Sequence, residues 1–225
     1  IFNLHYKNFK IIEIANEIKN KMSDVDIETT PLPFQDARNY QVSSDKLKDV
    51  TGFEAAIDLS QGINVVGLEP SCILSFRDEL PALLENKNTE LLKNNSFTFE
   101  ELLATQHKNI TFKKLNEKVL LHGHCHQKAF DAVKPIQKVL NYIEGLEVET
   151  IETSCCGMAG AFGYGKDTYD ISMKMAGERL FPAIKKNPKD IKIIADGTSC
   201  RCQIKDGMNR QAIHAARFLD ENIIY

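Results

Sequence analysis

The apolar and polar positions along this chain alternate between two periods. Short β-branched runs predict strands at Ile1 to Tyr6, Asp26 to Thr30, Ile63 to Leu68, Val119 to His122, Val148 to Thr153 and Ile191 to Ala195. Between them, apolar residues recur at close to the helical period. Phe9, Ile12, Ile14, Ala15 and Ile18 predict a helix over Asn8 to Lys21, and another follows over Ser44 to Leu59, weakened by Gly52. Pro70-Ser71-Cys72 reads as a helix start with Ser71 as N-cap, Leu74, Leu80, Leu83 and Leu84 along its side, and Pro81 bending or ending it. Further helices are expected over Phe97 to Ala104, His126 to Tyr142 with a kink at Pro135, Asp167 to Ile184, from Cys200 and Gln203, and over Arg210 to Leu219.

Strands alternating with helices imply an α/β fold with mainly parallel sheets and helical crossovers, and ligands in such folds sit beyond the carboxyl ends of the strands. The chain also matches itself. Gly62 to Cys72 lies over Asp190 to Cys200, each a β-branched strand, a turn and Ser-Cys. Ile27 to Leu32 lies over Ile151 to Cys156, and Leu4-His5-Tyr6 lies weakly over Gly123-His124-Cys125. Two pseudo-symmetric repeats are therefore expected, each a mainly parallel sheet with helices packed around it. Residues 1–110 would be a degenerate copy, with Pro31-Leu32 where the cysteine pair would stand. Residues 111–225 would be the copy that kept its thiols.

The 225 residues, 43% hydrophobic and 26% charged, suit a globular chain able to bury a core. A net charge of −3 offers no basic surplus for nucleic acid or an anionic membrane, and no apolar run approaches membrane-spanning length. The first residue, Ile1, reads as a chain cut from something longer, and the absence of a secretory signal suggests a cytoplasmic setting.

There the six cysteines, Cys72, Cys125, Cys155, Cys156, Cys200 and Cys202, read as metal or redox ligands rather than a disulfide framework. The neighbours Cys155 and Cys156 are poorly placed to bond to each other, but well suited to gripping one inorganic centre. Thiolates suit zinc, copper(I) or iron–sulfur clusters. Zinc sites usually show Cys-x-x-Cys pairs, which this chain lacks, whereas thiols delivered from separate strand ends suit a larger cluster. His124 and His126 are further candidate ligands around Cys125, while His122 reads as a turn histidine bonded to backbone. Cys72, at a helix start, could complete the site; Cys202 reads as a bystander and Arg201 as a solvated charge. The Gly157 to Gly165 run fails the spacing of a dinucleotide-binding loop.

Cys125, Cys155-Cys156-Gly157 and Cys200 resemble the cysteine-rich CCG domain found in heterodisulfide reductase and in the iron–sulfur subunits of glycolate oxidase. Gly67 to Cys72, His122 to Lys128, Cys155 to Gly160 and Gly197 to Arg201 look more closely like the C-terminal part of FAD-linked D-2-hydroxyacid dehydrogenases fused to iron–sulfur modules. The resemblance implies an electron-transfer module with a 4Fe–4S cluster, cubane or non-cubane, on Cys125, Cys155, Cys156 and Cys200. It implies as partners a flavin-containing dehydrogenase domain or subunit and a ferredoxin-like iron–sulfur domain, with FAD itself on a missing domain or partner. Cys200-Arg201-Cys202 departs from the Cys-x-x-Cys that closes the heterodisulfide reductase pattern. Two other readings stand beside it: a zinc-binding interaction module, and a metal-free thiol–disulfide reductase.

Overall fold

The computed structural model describes residues 62–84, 86–106 and 110–224, and residues 59–225 form one compact unit. The strands and helices predicted before Gly62, and with them the early part of the first repeat, lie outside the described residues.

A two-stranded parallel sheet pairs β1 (Val65–Gly67) with β2 (Ser96–Thr98), Val66 opposite Phe97. Between them run α1 (Pro70–Ile73), a short 3-10 turn (Leu74–Phe76), α2 (Glu79–Leu83) and α3 (Lys87–Asn94), and α4 (Phe99–Gln106) follows β2. The main sheet is four-stranded and wholly parallel. It contains β3 (Glu117–Leu121), β4 (Leu146–Thr150), β5 (Lys192–Ile194) and β6 (Ala212–Ile213), in the spatial order β4-β3-β5-β6. In register, Val119 faces Val148 on one side and Lys192 on the other, and Ile193 faces Ala212. The crossovers are α5 (Cys125–Ala129) with α6 (Val133–Leu140), then α7 (Tyr169–Glu178) with α8 (Leu180–Lys185), then α9 (Thr198–Met208); α10 (Ala215–Asn222) closes the chain. This is the expected α/β architecture with parallel sheets. Among the described residues no helix is long and apolar enough to cross a membrane.

Strand side chains alternate between faces, so each strand feeds two cores. Val119, Leu121 and Ile194 pack with Ile136, Val139 and Leu140 of α6 and Phe218 of α10. Leu120 and Ile193 pack on the opposite face with Leu180 and Ile184 of α8 and Ile204 of α9. Cys156 and Cys200 belong to this second core.

Several elements are shorter than the apolar pattern implies. The predicted helix from His126 to Tyr142 is two helices separated at Asp131, whose φ is +57°. The predicted helix from Asp167 to Ile184 breaks at Arg179, and the one expected after Pro70 breaks before Glu79. In each case a proline, Pro135, Pro182 or Pro81, is the third residue of the following helix. First-turn N–H groups have no intrahelical partner, so a proline is accommodated there by restarting the helix rather than by kinking it. Glu69, not Ser71, is the N-cap of α1, because Pro70 occupies the first helical position and Ser71 instead donates to the Glu69 carboxylate at 3.0 Å. Phe97 to Thr98 is strand, and the expected last helix gives its first residues to β6.

Gly145 turns the chain from α6 into β4 at φ +80°, and a Cβ there would lie 1.9 Å from the Leu115 carbonyl oxygen. Gly145→Ala is expected to destabilise the fold by at least about 1–3 kcal/mol. Urea unfolding against wild type measures this, with a lowered midpoint and unchanged slope.

Candidate metal centre

In the order β4-β3-β5, the crossovers from β3 depart to one side and those from β5 to the other. The crevice at such a switch point is the natural ligand site of an open parallel sheet. Three turns meet there. The chain leaves β3 and places Cys125 as the first residue of α5; it leaves β4 and reaches Cys155-Cys156; it leaves β5 and places Cys200 in the first turn of α9.

The four thiols form a linked row. Neighbours along it are electrostatically coupled: Cys125 with Cys155, Cys155 with Cys156, and Cys156 with Cys200. The row runs inward, from exposed Cys125 through half-buried Cys155 to Cys156 and Cys200 in the core. Their proton affinities alternate. Coupling to the Cys125 and Cys156 thiols pulls the Cys155 thiol down to about 2, helped by the Gly157 N–H at 3.3 Å. Coupling to Cys156 pulls Cys200 down to about 5 against the cost of burial, with His122 adding to the effect. Cys125 and Cys156 are pushed well up, first by their coupling to these thiols and then by burial.

His122, which its sequence context presents as a backbone-bonded turn residue, instead belongs to the site. It is buried, and its Nδ1 meets Thr153 Oγ1 at 3.2 Å. Its Nε2 has no hydrogen-bond partner, and one ligand atom each from His122, Cys156 and Cys200 lie within 4.8 Å of one another. His124 caps α5, its Nδ1 accepting the His126 N–H at 3.2 Å, and its ring borders the thiols beside Gly197. A Cβ at Gly197 would stand 2.5 Å from that ring and 3.2 Å from Cys200 Sγ, so the approach of β5 to the site requires glycine. His126 instead faces Asp78 and Glu79, at 3.5 and 3.9 Å. Cys72 is exposed on α1 and enters none of the thiol contacts; Cys202 meets Tyr164. Arg201 is not solvated: it donates to the carbonyls of Ala195, at 3.0 Å, and Asp196.

A strap and a bridge hold the turns together. Lys128 Nζ of α5 donates to Thr153 O (2.6 Å), Thr153 Oγ1 (2.9 Å) and Ser154 O (3.0 Å), immediately before the cysteine pair. Gln127 Oε1 accepts the His124 N–H at 3.0 Å, while its Nε2 donates to Asp196 Oδ2 at 2.9 Å.

Asp196 Oδ1 accepts the Ala215 N–H at 2.9 Å and lies near buried Glu100, whose Oε1 has no hydrogen-bond partner. Between them His214 Nδ1 accepts the Ala216 N–H at 3.0 Å and Nε2 donates to Leu68 O at 2.7 Å, so both ring nitrogens are already committed. The Glu100 carboxyl is held protonated well above the usual range, by burial first and then by Asp196.

No protein-family profile matches the chain, and no solved structure matches it significantly. Curated sequences do. A subunit of the anaerobic glycerol-3-phosphate dehydrogenase of Escherichia coli K12 is 28% identical over 161 residues, 71% of this chain and 40% of that protein. The D-2-hydroxyglutarate dehydrogenase of the same organism is 27% identical over 64% of this chain and 14% of its own length. A subunit of the fumarate reductase (CoM/CoB) of Methanothermobacter marburgensis is 30% identical over 53% of this chain and 24% of its own length. The chain is homologous to these oxidoreductases. The resemblance drawn from the cysteine motifs is borne out, and the chain spans less than half the length of each of these relatives.

Two measurements test the charge pattern. In metal-free, reduced protein near pH 6, iodoacetamide should label Cys155 ahead of exposed Cys72, because only the thiolate attacks; Cys156 and Cys200 should react only after unfolding. Peptide mass spectrometry reads the order. For Glu100, the unfolded chain releases its proton above about 4.3 while the folded chain keeps it, so its contribution to stability falls as pH rises towards the folded value. Glu100→Gln has no proton to lose. Its stability advantage over wild type should grow as pH rises above about 4.3, measured by urea unfolding at each pH.

Proposed function

We propose that this chain is the electron-transfer part of a flavin-linked dehydrogenase or reductase, with an iron–sulfur cluster held by Cys125, Cys155, Cys156 and Cys200. The observation that carries the reading is the convergence of four thiols from three separate strand ends on one crevice. Support comes from the names of the relatives, all dehydrogenases or reductases or their subunits. A cluster bound there supplies one-electron chemistry at a potential set by its ligands and by hydrogen bonds to its sulfurs. The chain's own residues suit that guest. The Cys155 and Cys200 thiols are lowered in pKa, the Gly157 N–H points at sulfur, and His122 Nε2 is a buried polar atom without a partner beside the inner thiols. The exposed outer end, at Cys125, is where an electron would enter or leave. The flavin and a ferredoxin-like iron–sulfur domain would lie on other parts of the assembly, and a D-2-hydroxyacid is the substrate class we assign to it.

One observation favours a second reading. His122, Cys156 and Cys200 hold their ligand atoms within 4.8 Å of one another. Zinc–sulfur bonds of about 2.3 Å in a tetrahedron place sulfurs only about 4 Å apart, whereas a cluster with several irons spreads its thiolates more widely. Zinc on those three residues and one further ligand, with Cys125 left free, would make the chain a structural docking module.

Anaerobic reconstitution with ferrous iron and sulfide, followed by metal analysis and EPR, separates the readings. The cluster reading expects a brown protein with stoichiometric iron and sulfide, most of it lost in Cys125→Ala, Cys156→Ala and Cys200→Ala alike. A colourless protein holding one zinc, unaffected by Cys125→Ala but lost in His122→Ala, would establish the second reading in its place.

A further inference from the structure

We infer that Lys128 is a positioning residue of the centre, whose fixed positive charge raises the reduction potential there. The inference rests on the cluster reading above. Lys128 lies one turn after Cys125 on α5, and its ammonium reaches across to the turn from β4, making three hydrogen bonds at Thr153 and Ser154. One side chain therefore ties the segment bearing Cys125 to the segment bearing Cys155 and Cys156. Its acceptors are two backbone carbonyls and a hydroxyl, all neutral, so the charge is not cancelled by a carboxylate. Burial lowers the Lys128 pKa, and the attraction of all four clustered cysteines, Cys200, Cys125, Cys155 and Cys156, works against that lowering.

The charged neighbourhood makes this lysine distinctive. Arg201 is turned onto carbonyls at the end of β5, and His126 faces two carboxylates, those of Asp78 and Glu79. On its outer side Lys128 borders a cavity of about 660 Å³ shared with Asp131, Glu152, Glu178 and Arg179. All four of these charged residues are exposed to solvent. Lys128 is half-buried between that cavity and the thiols, where a unit charge is screened far less than at a surface. A cation held there stabilises whichever state of the centre carries the extra electron. The same charge eases the gathering of thiolates that metal loading requires.

The test uses protein loaded anaerobically with ferrous iron and sulfide, and reads its midpoint potential and iron content. Lys128→Gln removes the charge and keeps an N–H donor, on a side chain one atom shorter. Lys128→Arg keeps both. Lys128→Gln should retain wild-type iron while shifting the equilibrium about tenfold towards the oxidised state, about 59 mV for one electron. Lys128→Arg should stay near the wild-type potential. A Lys128→Gln protein with unchanged potential, or an arginine variant shifted as far as the glutamine variant, overturns the inference. Should Lys128→Gln fail to hold iron, the arginine variant still decides: loss of iron there too would make the strap's shape, not its charge, the essential property. A wild-type chain that takes up no iron defeats the cluster reading itself, and this inference with it.

Discussion

Parallel pairing of β3 with both β4 and β5 is the constraint on which the rest depends. Strands hydrogen-bonded in parallel must all end at the same edge, and neighbours lie only about 4.8 Å apart. The outer two strands of the three are then about 10 Å apart, a gap that turn residues can close by leaning inward. Cys125, Cys156 and Cys200 lie far apart in sequence, yet each follows its strand by only a few residues. The convergence of the thiols is thus a consequence of sheet topology, and the register of Val119 against Val148 and Lys192 fixes it.

The crevice so formed concentrates negative charge. Thiols lowered in pKa alternate with thiols raised in pKa, and behind Gln127 lies a pair of buried carboxyl groups, one of which has its pKa raised. Removing anions from water is costly unless each finds hydrogen bonds or positive charge. The site lowers that cost by backbone N–H groups at Gly157 and Ala215, and by holding Glu100 neutral. What it lacks internally is a cation, which is the physical sense in which the thiol row is suited to metal and Lys128 is well placed.

Much of this is legible in the sequence, because β3 and β5 centre on buried apolar runs, Val119-Leu120-Leu121 and Ile193-Ile194, and β4 alternates apolar with charged residues. The cysteine turns follow from them. The repeat of Gly62 to Cys72 at Asp190 to Cys200 is consistent with the structure, since β1 leads into α1 as β5 leads into α9. Other features depend on long-range geometry. β2, at Ser96 to Thr98, is a strand because β1 lies beside it; its own sequence runs into a helix without a break. Asp131 adopts a left-handed conformation in a stretch with no glycine to announce it. The three histidines around Cys125 alternate with other residues, a spacing that would put them on one face of a continuing strand. The strand ends at Leu121, so the chain turns between them and sends each ring elsewhere: His122 inward, His124 to the cap and His126 towards Asp78 and Glu79.

The bridge at Gln127 has a further implication. It must accept a hydrogen from a main-chain amide at one end and give one to a carboxylate at the other. Among side chains of that length only a carboxamide has this polarity. Glutamate would set a second anion against Asp196, and methionine could serve neither end. The direction of its amide group is therefore dictated by chemistry: oxygen towards His124, nitrogen towards Asp196. The entry to α5 and the end of β5 are thereby locked together, so that a shift in either would be transmitted to the other through a single planar group.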